Sequence, residues 1–271
     1  MEQRYVIQGG QAGYDRLLVL ARARWPDTSE LLGTVGVGSG ARCLDLGCGG
    51  GEVTFELARL AGPDGHVVGV DMDDVKLALA REAARERGLA NLEFRSGDVT
   101  SWGEPASYDL VYCRFLLQHL SRPVDLLRRM WDAVRPGGAI AVEDADFDGR
   151  FCEPPNDGFD FYLRTYPKVL ERYGGDAAAG RKLFRYFLEA GIPSPRLRLA
   201  QGADTAGEGK TLALTTLEAT AGAIIAEQIA SADEVSSALA SLTAFTDDPG
   251  TLVGDPRVFQ LWSRRLAGDG A

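Results

Sequence analysis

The chain has 271 residues, 45% of them hydrophobic, and a formal net charge of −10. That length supports a full core in one domain, or in one domain with a subdomain. The acidic balance argues against nucleic acid or an anionic membrane as a partner, and no apolar run approaches the ~20 residues of a membrane span.

The opening Met-Glu-Gln-Arg-Tyr lacks the apolar stretch of a secretion signal. The cysteines at 43, 48, 113 and 152 form no C-x-x-C pair. They read as reduced thiols of a cytoplasmic protein, with Cys43 and Cys113 inside predicted core strands. His66 and His119 are the only histidines, so no metal site is expected.

In chain order, Tyr14, Leu17, Leu18 and Ala21 keep helical spacing, and Trp25-Pro26 is expected to end that helix. A second short helix is predicted over 29–35. Residues 42–46 read as a buried strand that runs directly into Gly47, Gly49 and Gly51. A helix over 52–60 follows, with Val53, Leu57 and Leu60 on one side. Such a strand–turn–helix lets a ligand lie against bare backbone, and the helix start favours a negative group. A tight turn without a ligand is the plainer alternative. The dinucleotide fingerprint would need a third glycine at position 52, which is Glu52.

Residues 65–71 form a continuous apolar strand ending in Asp71, where an acid can accept two hydrogen bonds from ribose hydroxyls. Capping the next helix is its other possible task, for which Asp73 and Asp74 are also at hand. A third strand leads out through 91–99, and a fourth spans 108–114. A helix follows Ser121 and Pro123, with Leu126, Leu127, Met130 and Val134 as its stripe. Arg135-Pro-Gly-Gly138 stops it before a strand over 139–144. Helices are predicted over 157–173 and 176–190, a strand over 196–200, helices over 210–230 and 232–245, and a strand over 258–263. The segment from 201 to 256 is acid-rich, with Lys210 its one basic residue.

The ordered series Asp45-x-Gly47-x-Gly49-x-Gly51, Asp71, Asp98, Asp109, Leu-Gln-His-Leu120 and Arg-Pro-Gly-Gly138 resembles the class I S-adenosylmethionine-dependent methyltransferases. The likeness is to the ubiquinone/menaquinone-biosynthesis type and to natural-product methyltransferases, and it covers residues 42–144. It implies an α/β fold: a Rossmann-like, mostly parallel sheet of seven strands, helices on both faces and helical lid elements. It divides the chain into a helical lid (1–40), a cofactor-binding core (41–145), a helical substrate-covering segment (146–195) and a completion of the sheet with inserted helices (196–271). The implied cofactor is S-adenosyl-L-methionine, whose ammonium and sulfonium suit Asp45 where a pyrophosphate would not. Asp71 would hold the ribose and Met72 would pack on adenine. Asp98 would accept from the adenine amino group, with the amide of Val99 meeting a ring nitrogen.

Methyl transfer from a sulfonium is an in-line displacement that asks the protein for alignment and exclusion of water. His119 is a candidate base, although histidine is common at this place without that role. Arg114 is a candidate partner for the methionine carboxylate or for the acceptor, and a surface ion pair is its plain alternative. Tyr5, Tyr14 and Trp25 are placed to close over the site. Asp144, with Glu143 and Asp146, leaves the fifth strand at the same edge and could position an acceptor. Phe147, Tyr162 and Tyr166 suggest an apolar acceptor pocket, or the docking face of a helix. The expected partner is a small hydrophobic molecule, a natural product or quinone-like compound. A cyclase or isomerase that keeps the cofactor without transferring methyl is the second reading, and association into homo-oligomers is left open.

Overall fold

A computed structural model describes residues 10–267. Tyr5 therefore lies outside the described residues.

The chain opens with α1 (Gly10–Val35), one helix where two were expected. Pro26 removes a backbone donor but does not break it. Packing on either side holds the halves in line. Arg24 is ion-paired with Asp255, while Thr28, Leu31, Leu32 and Val35 are buried after the proline.

Then follow β1 (Arg42–Leu46), α2 (Glu52–Ala61), β2 (His66–Asp71), α3 (Asp74–Glu86), β3 (Leu92–Ser96), β4 (Tyr108–Arg114), α4 (Pro123–Ala133) and β5 (Val134–Asp146). The second half adds β6 (Phe151–Glu153), α5 (Asp157–Arg172), α6 (Ala179–Glu189), β7 (Arg196–Ala200) and β8 (Ala203–Asp204). It ends with α7 (Glu208–Ala226), α8 (Ala232–Asp247), β9 (Leu252–Gly254) and β10 (Arg257–Arg264).

The main sheet has seven strands in the order β3-β2-β1-β4-β5-β10-β7. The first five are mutually parallel, and β10 runs antiparallel to both β5 and β7. Both faces are covered, which is why the central strands are apolar throughout. Leu44, Val68, Val111 and Ile140 pack with Leu126 and Met130 of α4. Cys43, Val67, Leu110 and Ala139 pack on the other side with Leu31, Leu32 and Leu57.

β1 pairs with β2 on one edge and β4 on the other. The connections that follow β1 and β4 therefore leave in opposite directions and open a crevice at the carboxyl ends, the switch point of the sheet.

A second sheet, β6-β9-β8, escaped prediction. Its strands have three residues at most, too few to carry an alternating pattern. It adjoins a helical layer in which α5, α7 and α8 share one core through Phe159, Leu217 and Leu242. The expected segments 146–195 and 196–271 thus meet in a single packing unit. Among the described residues no helix is long and apolar enough to cross a membrane.

Candidate functional site

The crevice is built first by the turn after β1. Gly49 and Gly51 take left-handed φ values of 54° and 83°, a conformation costly for residues with a side chain. A Cβ on Gly51 would lie 2.7 Å from Phe94, and one on Gly49 would lie 2.7 Å from Leu17. Gly51 precedes α2, and no side chain caps that helix. Its first amides are therefore left for a ligand.

α1 lies across the turn. Beneath it a cavity of about 460 Å³ is lined by the glycine turn, the ends of β2, β4 and β5, and residues of α1 and α5. That volume is in the range of small-molecule sites.

Asp45, Gly47, Gly49, Asp71, Met72, Val99, Arg114, His119, Phe147, Tyr162 and Tyr166 all line this cavity. Asp71 points inward. Its Oδ2 accepts from the amide of Gly49 at 2.8 Å and its Oδ1 from that of Asp73 at 3.0 Å. Each carboxylate oxygen keeps a second lone pair for a ligand hydroxyl. Asp73, not Asp71, caps α3, accepting from the amides of Val75 and Lys76. Met72 is exposed at the mouth, whereas Val99 is buried.

Asp45 is buried and accepts a hydrogen bond from the Thr54 hydroxyl at 2.7 Å. Burial raises its carboxyl to about 7, with the charge of Arg114 working against that rise. Arg114 donates to the Thr28 hydroxyl at 3.0 Å, which ties the end of β4 to α1. Burial pushes His119 down to about 3, helped by the cations Arg16 and Lys76. A base that weak takes few protons near neutral pH.

Six expected residues among those described do not line the cavity: Tyr14, Trp25, Asp98, Glu143, Asp144 and Asp146. Asp98 is exposed, and its Oδ1 accepts from the amide of Thr100 at 2.8 Å, so it is turned away into a local turn. Tyr14 is buried against the outer side of the turn, where a Cβ on Gly50 would lie 3.1 Å from its ring. Asp144 is fully buried, accepting from the amides of Gln118 at 3.0 Å and Ala145 at 2.8 Å. It fixes the short 3-10 turn Leu117–His119, and burial raises it to about 7. Glu143 accepts from Tyr112 and from Gln260, and Asp146 is held by Arg181 and Arg257. The strand-end acids are thus structural, and Trp25 packs with the core beneath α1.

Sequence reasoning missed Arg16, Tyr112, Gln118, Arg150 and Thr216, which also line the cavity. One signal was available for Tyr112. It pairs in register with Asp45 on the neighbouring strand, and so occupies the same level of the sheet. Arg16 carried a weaker signal, a cation one residue before Leu17 on the face that meets the turn.

The residues fit S-adenosylmethionine. An uncapped helix start faces the cavity for a carboxylate, a carboxylate at the end of β2 keeps lone pairs for sugar hydroxyls, and Asp45 offers negative charge to a cation.

Residues 38–170 match the family described as the methyltransferase domain. The ubiquinone/menaquinone biosynthesis C-methyltransferase UbiE of Yersinia pestis (strain Pestoides F) is 30% identical over 158 residues, 57% of this chain and 61% of that protein. The match thus spans under two thirds of the curated relative's length. Among solved structures, the BH2331 protein of Bacillus halodurans C-125 has a TM-score of 0.61 at 17% identity, over 89% of this chain and 99% of the other. The [4+2]-cyclase SpnF has a TM-score of 0.56 at 21% identity, over 92% and 83%. These likenesses carry the fold. The matched domain, the likeness to UbiE and the ordered motifs of the crevice support a class I S-adenosylmethionine-dependent methyltransferase.

Proposed function

We propose that the protein transfers a methyl group from S-adenosylmethionine to a small apolar, ring-bearing acceptor, a natural product or quinone-like molecule. The observation that carries this reading is the position of Asp71, at the sheet switch point and beside the glycine turn. When bound, the cofactor supplies a methyl group already activated on a sulfonium.

The chain's own residues then bind and orient. Asp71 accepts the ribose hydroxyls, while Met72 and Val99 enclose the base. Asp45 balances the ammonium, and the α2 amides with Arg16 or Arg114 take the carboxylate. The likeness to UbiE, named for ubiquinone and menaquinone biosynthesis, supports a quinone-like acceptor. So does the aromatic wall, where the Phe147 centroid lies 5.1 Å from that of Tyr162 and 4.9 Å from that of Tyr166.

His119 is assigned a positioning role, because its neutral ring is too weak a base to hold the acceptor's proton. α1 over the cavity keeps water out, and methyl transfer gains chiefly from that alignment.

Incubation with S-adenosylmethionine labelled in its methyl group, against a panel of phenols and quinols, tests the reading. Label in an acceptor supports it. Turnover of an acceptor without label would instead place the chain with cofactor-keeping cyclases.

A further inference from the structure

Arg150 follows the 3-10 turn Phe147–Gly149 and forms part of the cavity wall. Its Cζ lies 5.4 Å from the ring centroid of Phe147 and 5.4 Å from that of Tyr162. Its Nε and Nη1 are enclosed and donate to no acceptor among the described residues. A guanidinium cannot shed its proton, so enclosing its donors without acceptors is unfavourable.

The acids around it are engaged by other arginines, while Asp255 Oδ1 and Asp146 Oδ2 have no hydrogen-bond partner among the described residues. Asp146 is held by Arg181 and Arg257, Asp148 by Arg181, and Asp255 by Arg24. Other cations of the cavity have different surroundings. Arg114 donates to Thr28 and acts on Asp45, and Lys76 pairs with Asp73. Arg150 thus stands at the aromatic wall with two nitrogens, Nε and Nη1, that nothing among the described residues satisfies.

We propose that the acceptor is an aromatic carboxylic acid, its carboxylate held by Arg150 and its ring laid against Phe147, Tyr162 and Tyr166. This rests on the methyl-transfer reading of the same cavity. The two outer nitrogens of a planar guanidinium form a fork that matches the two oxygens of a carboxylate, and Nη1 is one arm of it. Asp255 shares the field of Arg150, and its negative charge disfavours a dianion such as phosphate. Cation–π contact with two rings restrains the guanidinium, so little freedom is lost when the acid binds.

The test is calorimetry with a matched pair of probes, 2-naphthoate and 2-naphthamide, each titrated into protein saturated with adenosylhomocysteine. Wild type should bind the acid at least about tenfold more tightly than the amide. Arg150→Gln should bring the two probes to equal affinity and leave adenosylhomocysteine affinity unchanged. If that variant fails to fold, Arg150→Lys serves: it keeps the charge, loses the fork, and should narrow the ratio. A wild type that binds the acid no better than the amide, or binds neither, overturns the proposal. So does an unchanged ratio in the variants. Failure of adenosylhomocysteine to bind wild type is a separate result: it removes the methyl-transfer reading, while the probe pair still judges the carboxylate.

Discussion

Asp45 holds its proton to about 7 in the fold because burial disfavours its charged form. In the unfolded chain it titrates near pH ~3.9. Between those values the folded protein carries a proton that the unfolded chain has lost. The stability from this group is therefore full below about pH 4, falls as pH rises, and is gone above about pH 7. Asp144 acts in the same direction and over the same window. His119 opposes them: its folded value of about 3 lies below the unfolded one, so its contribution is present above about pH 6.5 and lost as pH falls. A ligand ammonium beside Asp45 needs the carboxylate. Adenosylmethionine should therefore bind more tightly as pH rises through about 7, and Asp45→Asn should flatten that profile in calorimetry between pH 6 and 8. His119→Gln should lower kcat by less than about tenfold, since a base that weak has little proton transfer to lose. Loss of a hundredfold or more, with the cofactor affinity kept, would return His119 to the chemistry.

At this scale the local signals were legible. Glycines at a strand end and an acid at the end of the next strand declare themselves by spacing alone. Side-chain direction did not. Asp98 turns out to cap Thr100, and Asp144 turns in to hold Gln118. Arg150 was unreadable for another reason. Its neighbours Tyr162, on α5, and Asp255, in the turn between β9 and β10, are reached by the chain only later.

Among the elements, α1 is the one whose packing overrides its local code. The proline marked a helix end, yet the buried Arg24–Asp255 pair and the buried Leu31, Leu32 and Val35 after Pro26 hold one helix across the cavity. Removing one partner of a buried ion pair leaves the other unpaired, so Arg24→Met should lower unfolding stability by about 3 kcal/mol. Hydrogen exchange should rise first in α1. An unchanged urea midpoint would mean that the pair does not hold the helix. At the turn, Gly51→Ala forces a side chain into a left-handed φ of 83° and against Phe94. It should cost about 1–3 kcal/mol, read in the same denaturation experiment. The strands of the main sheet were found within a residue or two where both faces are buried, because a continuous apolar run bounded by turns has few other readings. The exception is β5, predicted over 139–144 but running Val134–Asp146.

For the whole molecule, the family resemblance implied a mostly parallel sheet of seven strands, and the strand order around β1 explains why the site lies where it does. Composition could not show that helices from two stretches of sequence roof the cavity together. That follows from packing between α5, α7 and α8, and from α1 against α7.

The most direct measurement is a calorimetric titration of adenosylhomocysteine into wild type and Asp71→Ala, with unfolding midpoints taken on the same samples. Two hydrogen bonds to a carboxylate are worth enough that the variant should bind at least about thirtyfold more weakly while remaining folded. Equal affinity in the two proteins would contradict the placement of the nucleoside at the end of β2, and with it the function built on that site.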